Sequence, residues 1–217
     1  YQLSGQWGKC TGANHATLFS AIVNNDERGP NTFVIPRKNV LLSDDKWPIM
    51  GMRNTSSFEI TLQQVEVTTG YDFEINTIKN NAHYSAFHLP FQTFARLCMS
   101  ASFLGVSQCL VDQCVIELKK PLALEIINNT LQPLLHASSN TLFATAKHVE
   151  AQCMAGNYSE QDELTMRQEL GANNVQIFDV VQKLFLAGGL PFIEENTLVH
   201  WAYRDVLTAA QHFMVKP

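Results

Sequence analysis

Four polar side chains recur at every fourth position near the end of the chain, in the segment LVHWAYRDVLTAAQHFM at residues 198–214. An α-helix brings positions four apart onto one face, so a helix over 198–214 aligns His200, Arg204, Thr208 and His212 in one polar stripe. Asp205 and Gln211 flank this stripe, and most other positions are apolar. Because an ordinary surface helix has a broad charged face, the pattern predicts a buried helix with a narrow polar edge toward a cleft.

Two interpretations of the stripe are open from these residues alone. Histidine changes protonation near neutral pH and can act as an acid or a base, which favours a catalytic role. Alternatively, Arg204 and Asp205 form a structural ion pair and the histidines are satisfied core or surface groups, because polar networks without a catalytic role are common.

Composition excludes several classes of protein. A chain of 217 residues that is 46% hydrophobic can bury one or two cores, and its net charge of -5 offers nucleic acid no electrostatic attraction. We identify no apolar stretch long enough to span a bilayer and expect no membrane partner. The five cysteines include no CxxC and no metal-type pairing with histidine, so we expect no metal, reduced thiols and a cytoplasmic location.

The chain before Phe73 has the pattern of a small antiparallel β-domain. Glycine, proline, asparagine and aspartate divide it into four β-type runs: YQLSGQW, TLFSAIV, NTFVIP and SFEITLQQVEV. Turn clusters such as NNDERGPN separate these runs. We therefore predict a barrel-like, incomplete β-domain over residues 1–80.

From Pro90 onward the pattern is helical and predicts four long segments. The first covers about residues 90–118, and the second covers about 122–154, where Pro133 should kink or break it. The third begins at Ser159, which can cap with Asp162, and stops at Gly188-Gly189; the fourth is the polar-striped helix. The fold class is thus α+β, with a C-terminal four-helix up-and-down bundle over residues 84–217.

Three stretches together resemble a known family. Trp7 is followed by Thr11-Gly12; DKW at 45–47 precedes GMRNTSS at 51–57; and FARLCMSASFLGVSQCLVDQC occupies 94–114. In this order and spacing they are similar to the middle and C-terminal domains of the acyl-CoA dehydrogenase superfamily, with Asn54 and Ser56 replacing glycines. The resemblance implies a flavin, FAD or FMN, bound by Trp7, Thr11, Gly12, Arg53 and Ser57, with Thr11 near the flavin N5.

The end of the chain resembles one branch of that superfamily, the reduced-flavin-dependent monooxygenases. The matching residues are Gly188, Gly189, Arg204, Asp205 and His212. The resemblance implies that His212, Arg204 and Asp205 are catalytic, with His212 beside the reactive face of a reduced flavin. There a histidine donates a hydrogen bond or takes a phenolic proton from a small aromatic substrate.

Two alternatives remain. An acyl-CoA dehydrogenase, acting on an acyl-CoA, would use Glu194 as its base; this chain has FIEEN at 192–196 in place of the Tyr-Glu-Gly motif of many members. The other alternative is a non-catalytic remnant that self-associates through the helical bundle.

The resemblance also bears on completeness and assembly. The N-terminal helical domain of the superfamily has no counterpart in this sequence, so we expect a fragment or truncated member that alone need not retain flavin. An apolar surplus on the first bundle helix predicts a homodimer or homotetramer: Leu97, Phe103, Leu104, Val106 and Leu110.

Overall fold

The computed structural model describes residues 1–25, 29–75 and 84–217. They form two compact units: a β-unit of residues 1–49 and 53–75, and a helical unit of residues 50–52 and 84–217. The predicted end of the first domain at residue 80, and part of the NNDERGPN turn, lie outside the described residues.

Two three-stranded antiparallel sheets make up the β-unit in the described part of the chain. One sheet has the order β1-β5-β4, formed by Gln2–Cys10, Phe58–Glu66 and Leu41–Lys46. The other has the order β2-β3-β6, formed by Leu18–Asn25, Gly29–Pro36 and Asp72–Glu74. The four β-type runs of the sequence correspond to β1, β2, β3 and β5. Strands β4 and β6 were not predicted, because LLSDDK and DFE lack a clear alternation of apolar and polar residues.

The core of the β-unit comes from the alternation of its strands, since successive side chains point to opposite faces of a sheet. Phe19 and Ala21 of β2, Phe33 of β3, and Ile60 and Leu62 of β5 are buried in one cluster. Both sheets contribute to this cluster, so burial of these residues fixes the strand register.

An irregularity at the end of β1 sets the direction of the chain as it leaves the sheet. The pairing of β1 with β5 shifts register between Trp7 and Cys10, and Lys9 has φ 61° within this shift. Such bulges bend a strand and turn its end. Here the bulge leads into the turn that contains Thr11 and Gly12.

The helical unit has the predicted arrangement of four long helical segments. They are α1 (Phe91–Glu117), a composite second segment, α4 (Glu160–Gly188) and α5 (Leu198–Ala209). The composite segment consists of α2 (Pro121–Ile126), a π-helical turn (Ile127–Leu131) and α3 (Gln132–Met154). A buried cluster joins α1, α4 and α5 through Phe103, Ile177 and Val206, among others.

Pro133 was expected either to kink the second segment or to break it, and it does not break it. The ring of a proline clashes with the carbonyl four residues earlier in an α-helix. The chain avoids this clash with the π-helical turn, in which the Gln132 N–H donates to the Ile127 carbonyl five residues back. The helix therefore continues through Pro133 to Met154.

The prediction of a last helix over 198–214 is wrong at its end. Helix α5 stops at Ala209, and after a turn the chain forms a 3-10 helix at Phe213–Val215. His212 precedes that 3-10 helix with φ -66° and ψ 129°, an extended conformation. The polar stripe on α5 is thus reduced to His200, Arg204 and Thr208.

The expectation about apolar stretches also needs correction. Helix α1, with a mean hydropathy of 1.4, is by length and composition able to span a membrane, the one such helix in the described residues. Phe103, Leu110 and Cys114 of α1 are buried in the bundle core, and core helices pass the same test.

Candidate functional site

Helix α5 begins at a well-defined cap. Thr197 is its N-cap, and the Thr197 hydroxyl accepts a hydrogen bond of 3.1 Å from the His200 N–H. Such a cap satisfies one of the free N–H groups of the first helical turn. The Trp201 indole N–H donates to the Glu195 carbonyl at 2.8 Å, which fixes the preceding loop against the same turn.

Aromatic packing holds the loop that precedes α5. The rings of Phe185 and Tyr203 stack at 4.9 Å, and the Phe192 ring meets Tyr203 edge-on at 5.2 Å. A Cβ on Gly188 would lie 2.2 Å from the Phe192 ring, so this ring requires glycine at that position. The Gly188-Gly189 pair therefore ends α4 and also makes room for Phe192.

His200 and Arg204 form a fixed pair on α5. The His200 Nδ1 lies 3.0 Å from the Phe192 carbonyl oxygen, and its Nε2 lies 3.3 Å from Arg204 Nη1. A carbonyl only accepts and a guanidinium only donates, so these two contacts fit the His200 tautomer that carries its proton on Nδ1. The Arg204 guanidinium also lies over the Trp201 ring, 4.8 Å from the centroid.

Arg204 keeps free donors after these contacts. Its Nε is buried and has no hydrogen-bond partner, which is rare for a buried donor. The two contacts of Arg204 in this structure are thus an imidazole and an indole ring.

Asp205 and Thr208 bind a backbone segment. The Gly51 N–H donates to the Thr208 hydroxyl at 2.9 Å, and the Met52 N–H donates to the Asp205 carboxylate. A Cβ on Gly51 would lie 2.1 Å from the Arg204 carbonyl oxygen, so only glycine allows this approach. Asp205 thus has a docking contact with Met52 in place of the ion pair with Arg204 considered from sequence.

His212 lies beyond the helix, but its ring is fixed by a local contact. The Met214 N–H donates to His212 Nδ1 at 3.3 Å, and the ring stacks on Phe213 at 5.1 Å. Because Nδ1 accepts, the proton of the neutral imidazole lies on Nε2. The side chain is exposed, yet partial burial lowers its pKa below the ordinary value of histidine.

In the β-unit, three hydroxyl groups form a chain next to a glycine turn. The Ser57 hydroxyl lies 3.1 Å from the Thr11 hydroxyl and 3.1 Å from the Thr55 hydroxyl. The Gly12 N–H donates to the Thr55 carbonyl at 2.8 Å. Thr11 is exposed, and a Cβ on Gly12 would meet nothing within 4 Å. The turn therefore presents an open surface with a fixed hydroxyl.

The two remaining predicted cofactor residues of the β-unit differ from each other. The Trp7 indole N–H donates to the Ile22 carbonyl at 2.9 Å, and the ring covers Gly5. Trp7 is thus a half-buried residue whose ring is fixed within the unit. Arg53 begins a short 3-10 helix and its side chain is exposed.

Glu194 lies on the loop before α5, outside the helix itself. Its carbonyl accepts from the Thr197 N–H at 3.1 Å and from the Thr197 hydroxyl at 3.0 Å. Its side chain is exposed. Among the described residues, no group of three or more histidine, cysteine, aspartate or glutamate side chains is placed to hold a metal ion.

Sequence reasoning missed several residues of these clusters. Thr55 could have been found from its place in the GMRNTSS stretch, and Gly51 from the same stretch. The contact of Trp201 with Arg204 could also have been found, because residues three positions apart on a helix are neighbours.

Comparison with known proteins identifies the fold. A scan against protein-family models finds no match, and a search of curated proteins finds none. Among solved structures, 3-HSA hydroxylase from Rhodococcus sp. RHA1 has a TM-score of 0.84 at 21% identity, covering 100% of this chain. XiaF from Streptomyces sp., solved with FADH2 and glycerol, has a TM-score of 0.83 at 16% identity over 100% of this chain. The HsaA monooxygenase from M. tuberculosis has a TM-score of 0.81 at 18% identity, also over 100%.

These structures are flavin-dependent monooxygenases of the acyl-CoA dehydrogenase-like fold. The chain therefore has that fold along its whole length, as the resemblance in sequence implied. It spans 61% of the 3-HSA hydroxylase and XiaF chains and 62% of the HsaA chain.

Proposed function

We propose that this chain is the β- and helical part of a reduced-flavin-dependent monooxygenase. The observation that carries the proposal is the structural similarity, over the full chain, to flavin-dependent monooxygenases, one of them holding FADH2. FMN is the other candidate cofactor, since a KijD3 structure of the same fold, covering 100% of this chain, contains it.

The residues of the β-unit fit a planar flavin ring. The open turn at Thr11 and Gly12 gives access to a flat ligand, and the chain of hydroxyls through Ser57 and Thr55 holds the Thr11 hydroxyl in place. Trp7 and Arg53 complete the proposed cofactor residues. A reduced flavin bound there supplies the electrons that activate dioxygen.

In the helical unit His212 is the proposed catalytic residue. Its Nδ1 accepts from the Met214 N–H, so the Nε2–H of the neutral ring is its free donor. A lowered pKa keeps the ring neutral at pH 7. These features support a role as hydrogen-bond donor to a developing anionic oxygen, rather than as a base, because a neutral ring of this tautomer has no free lone pair.

Arg204 has the proposed role of an electrostatic partner. Its Nη1 contacts His200, and its Nη2 is the donor proposed for an anionic group such as a phenolate or a phosphate. Asp205 contributes to the site by holding residues 50–52 beside the Arg204 backbone. The substrate proposed is a small aromatic molecule, and the location proposed is the cytoplasm.

Self-association through the helical bundle is part of the same proposal. The five apolar residues expected to be in surplus on α1 are not exposed: Leu97, Phe103 and Leu110 are buried, and Leu104 and Val106 are partly buried in the core. Other apolar side chains of the bundle are exposed, including Ile116 at 73%, Leu186 at 80% and Phe143 at 65%. Burial of these side chains in a homodimer or homotetramer removes apolar surface from water. Light scattering at micromolar protein concentration tests this self-association, and a monodisperse monomer would contradict it.

Anaerobic titration tests flavin binding. Chemically reduced FAD and FMN are each titrated into the purified protein, and binding is measured by calorimetry. Thr11→Val, which keeps the side-chain shape and removes the hydroxyl, should weaken binding about tenfold, the effect of one lost hydrogen bond to the ligand or its support. Thr17→Val, on the exposed side of the same loop, is the matched control. Equal affinity for the parent and Thr11→Val contradicts a role of Thr11 in flavin binding, and absence of binding by the parent contradicts flavin binding by residues 1–217 alone.

A further inference from the structure

Residues 214–216 are held by two buried polar side chains of the bundle. Arg96 on α1 is only 7% exposed, and its Nη1 donates to the Met214 carbonyl at 2.9 Å and to the Lys216 carbonyl at 2.9 Å. Asn174 on α4 is 4% exposed, and its amide donates to the Val215 carbonyl at 3.0 Å. Three consecutive carbonyls of the chain end therefore meet side-chain donors that the core encloses.

Holding residues 214–216 with a buried guanidinium has an energetic cost. A buried guanidinium loses its hydration, and apolar residues of similar volume often stabilise a core as well or better. Burial is also the largest influence on Arg96, and it lowers the pKa of the guanidinium. The specific gain from Arg96 and Asn174 is geometric, because their donors allow only one path for the backbone of residues 214–216.

The fit of the chain end extends to its last residue. A Cβ on Gly171 of α4 would lie 2.3 Å from the Pro217 nitrogen, so the chain passes against bare helix backbone at that position. Exposed Arg167 donates to the Pro217 carbonyl at 2.9 Å. The Asn174 amide is itself supported by the Ser100 hydroxyl at 3.3 Å.

Arg96 and Asn174 together are called the clamp here, and His212 connects to them through Met214 and Val215. The Met214 N–H donates to the His212 ring, and the Met214 carbonyl accepts from Arg96. The Val215 N–H donates to the His212 carbonyl at 3.0 Å, and the Val215 carbonyl accepts from Asn174. Both the ring and the backbone of His212 are thus bonded to residues that the two buried donors hold.

We propose that Arg96 and Asn174 are positioning residues for His212, fixing its tautomer and the direction of its Nε2–H from the interior of the bundle. The inference rests on the proposed function for its catalytic meaning, while the coupling itself is a property of this chain. Helix α5 ends at Ala209, and the His212 N–H donates to the Ala209 carbonyl at 3.1 Å, so the end of the helix and the clamp together determine where His212 lies.

NMR of the folded protein tests the coupling without flavin or substrate. Two-bond nitrogen–proton spectra distinguish the two neutral tautomers of each histidine, and amide exchange reports on the Met214 and Val215 N–H groups. In the parent protein His212 should have its proton on Nε2. Asn174→Ala should increase amide exchange at Val215 about tenfold or more and give His212 a mixture of tautomers, because one buried hydrogen bond to this segment is lost.

Matched variants separate positioning from general destabilisation. Arg96→Lys keeps a buried donor and should preserve more of the Nε2–H signature than Arg96→Met. Arg167→Gln removes the exposed donor of α4 to the Pro217 carbonyl and should leave the tautomer of His212 unchanged. Gly171→Ala, which keeps both clamp residues and displaces Pro217, serves if Arg96→Met does not fold, and it should also mix the His212 tautomers.

The outcomes are distinguishable from a failure of the proposed function. If Asn174→Ala and Gly171→Ala fold and leave the His212 tautomer and the Val215 exchange rate unchanged, the clamp does not position His212. If the clamp variants change His212 as expected but His212→Asn keeps full monooxygenase activity, the positioning stands and the catalytic assignment fails.

Discussion

The closest backbone approach in the candidate site is at Gly51, and Gly51→Ala is the substitution most disruptive for its size. The new Cβ would lie 2.1 Å from the Arg204 carbonyl oxygen, 2.4 Å from the Arg204 carbonyl carbon and 2.7 Å from the Asp205 nitrogen. All three atoms are helix backbone and cannot rotate away, so the segment of residues 50–52 has to leave α5.

The magnitude follows from the contacts that this displacement breaks. The hydrogen bond from the Gly51 N–H to the neutral Thr208 hydroxyl contributes about 1 kcal/mol, and that from the Met52 N–H to the charged Asp205 carboxylate about 1.5–3 kcal/mol. We therefore expect Gly51→Ala to lower the free energy of unfolding by about 2.5–4 kcal/mol. Urea denaturation followed by circular dichroism measures this loss.

Two matched variants test the reasoning behind this number. Asp205→Asn keeps an oxygen acceptor for the Met52 N–H and should cost about 1 kcal/mol, the difference between a charged and a neutral acceptor. Thr208→Val removes the acceptor for Gly51 and should be strongly non-additive with Gly51→Ala, because both break one contact. Stability of Gly51→Ala within about 0.5 kcal/mol of the parent, or full additivity, would refute the docking of residues 50–52 on α5.

Three further predictions concern single groups. Burial raises the pKa of the Cys114 thiol to about 12, so at pH 8 Cys114 stays protonated and should resist alkylation while exposed Cys98 and Cys109 react, as seen by mass spectrometry. The thiol of the unfolded chain ionises at a lower pH than the buried thiol. Burial of the protonated thiol therefore contributes stability below about pH 8.5, and this contribution is lost as the pH rises toward the pKa of the folded state. Modification of Cys114 at pH 8 at the rate of Cys98 would contradict the raised pKa. Ser159→Ala should cost about 1 kcal/mol of unfolding free energy, as it removes the N-cap of α4, and an unchanged urea midpoint would be inconsistent with that cap. Ser56→Gly should raise the urea midpoint, because Ser56 has φ 50° and the left-handed region costs a non-glycine residue about 1–2 kcal/mol; a lower midpoint would mean that the side chain outweighs the backbone strain.

Features with a local cause could be predicted from sequence. The Ser159–Asp162 capping box was expected from residues three apart, and the structure has both of its hydrogen bonds. The alternation of apolar and polar residues in β2, β3 and β5 also indicated strands. This signal is local, because side chains of a single strand point alternately to the two faces of a sheet.

Features set by distant contacts could not be predicted. Ala210 and Gln211 are good helix formers, so the local sequence does not predict an end at Ala209; beyond it the carbonyls of residues 214–216 bond to Arg96 and Asn174 and not within a continued helix. The partners of Asp205 and Thr208 lie more than 150 residues away along the chain. A single arginine in an apolar helix, such as Arg96, was the one sequence signal of the clamp.

The central claim is that His212 acts in a flavin-dependent monooxygenation. The measurement is ¹⁸O incorporation from ¹⁸O₂ into a panel of substituted phenols in the presence of chemically reduced FAD or FMN. The proteins compared are the parent, His212→Asn, Glu194→Gln and a control, His148→Asn, at an exposed position of α3. Loss of a positioned hydrogen-bond donor to a developing anionic oxygen lowers turnover about a hundredfold or more, so His212→Asn should lose labelled product to that extent while the other two variants keep it. Full labelling with His212→Asn would contradict a catalytic role of His212, and no labelled phenol from the parent protein would contradict monooxygenation by this chain. If octanoyl-CoA dehydrogenation is lost in Glu194→Gln alone, the protein is better explained as an acyl-CoA dehydrogenase.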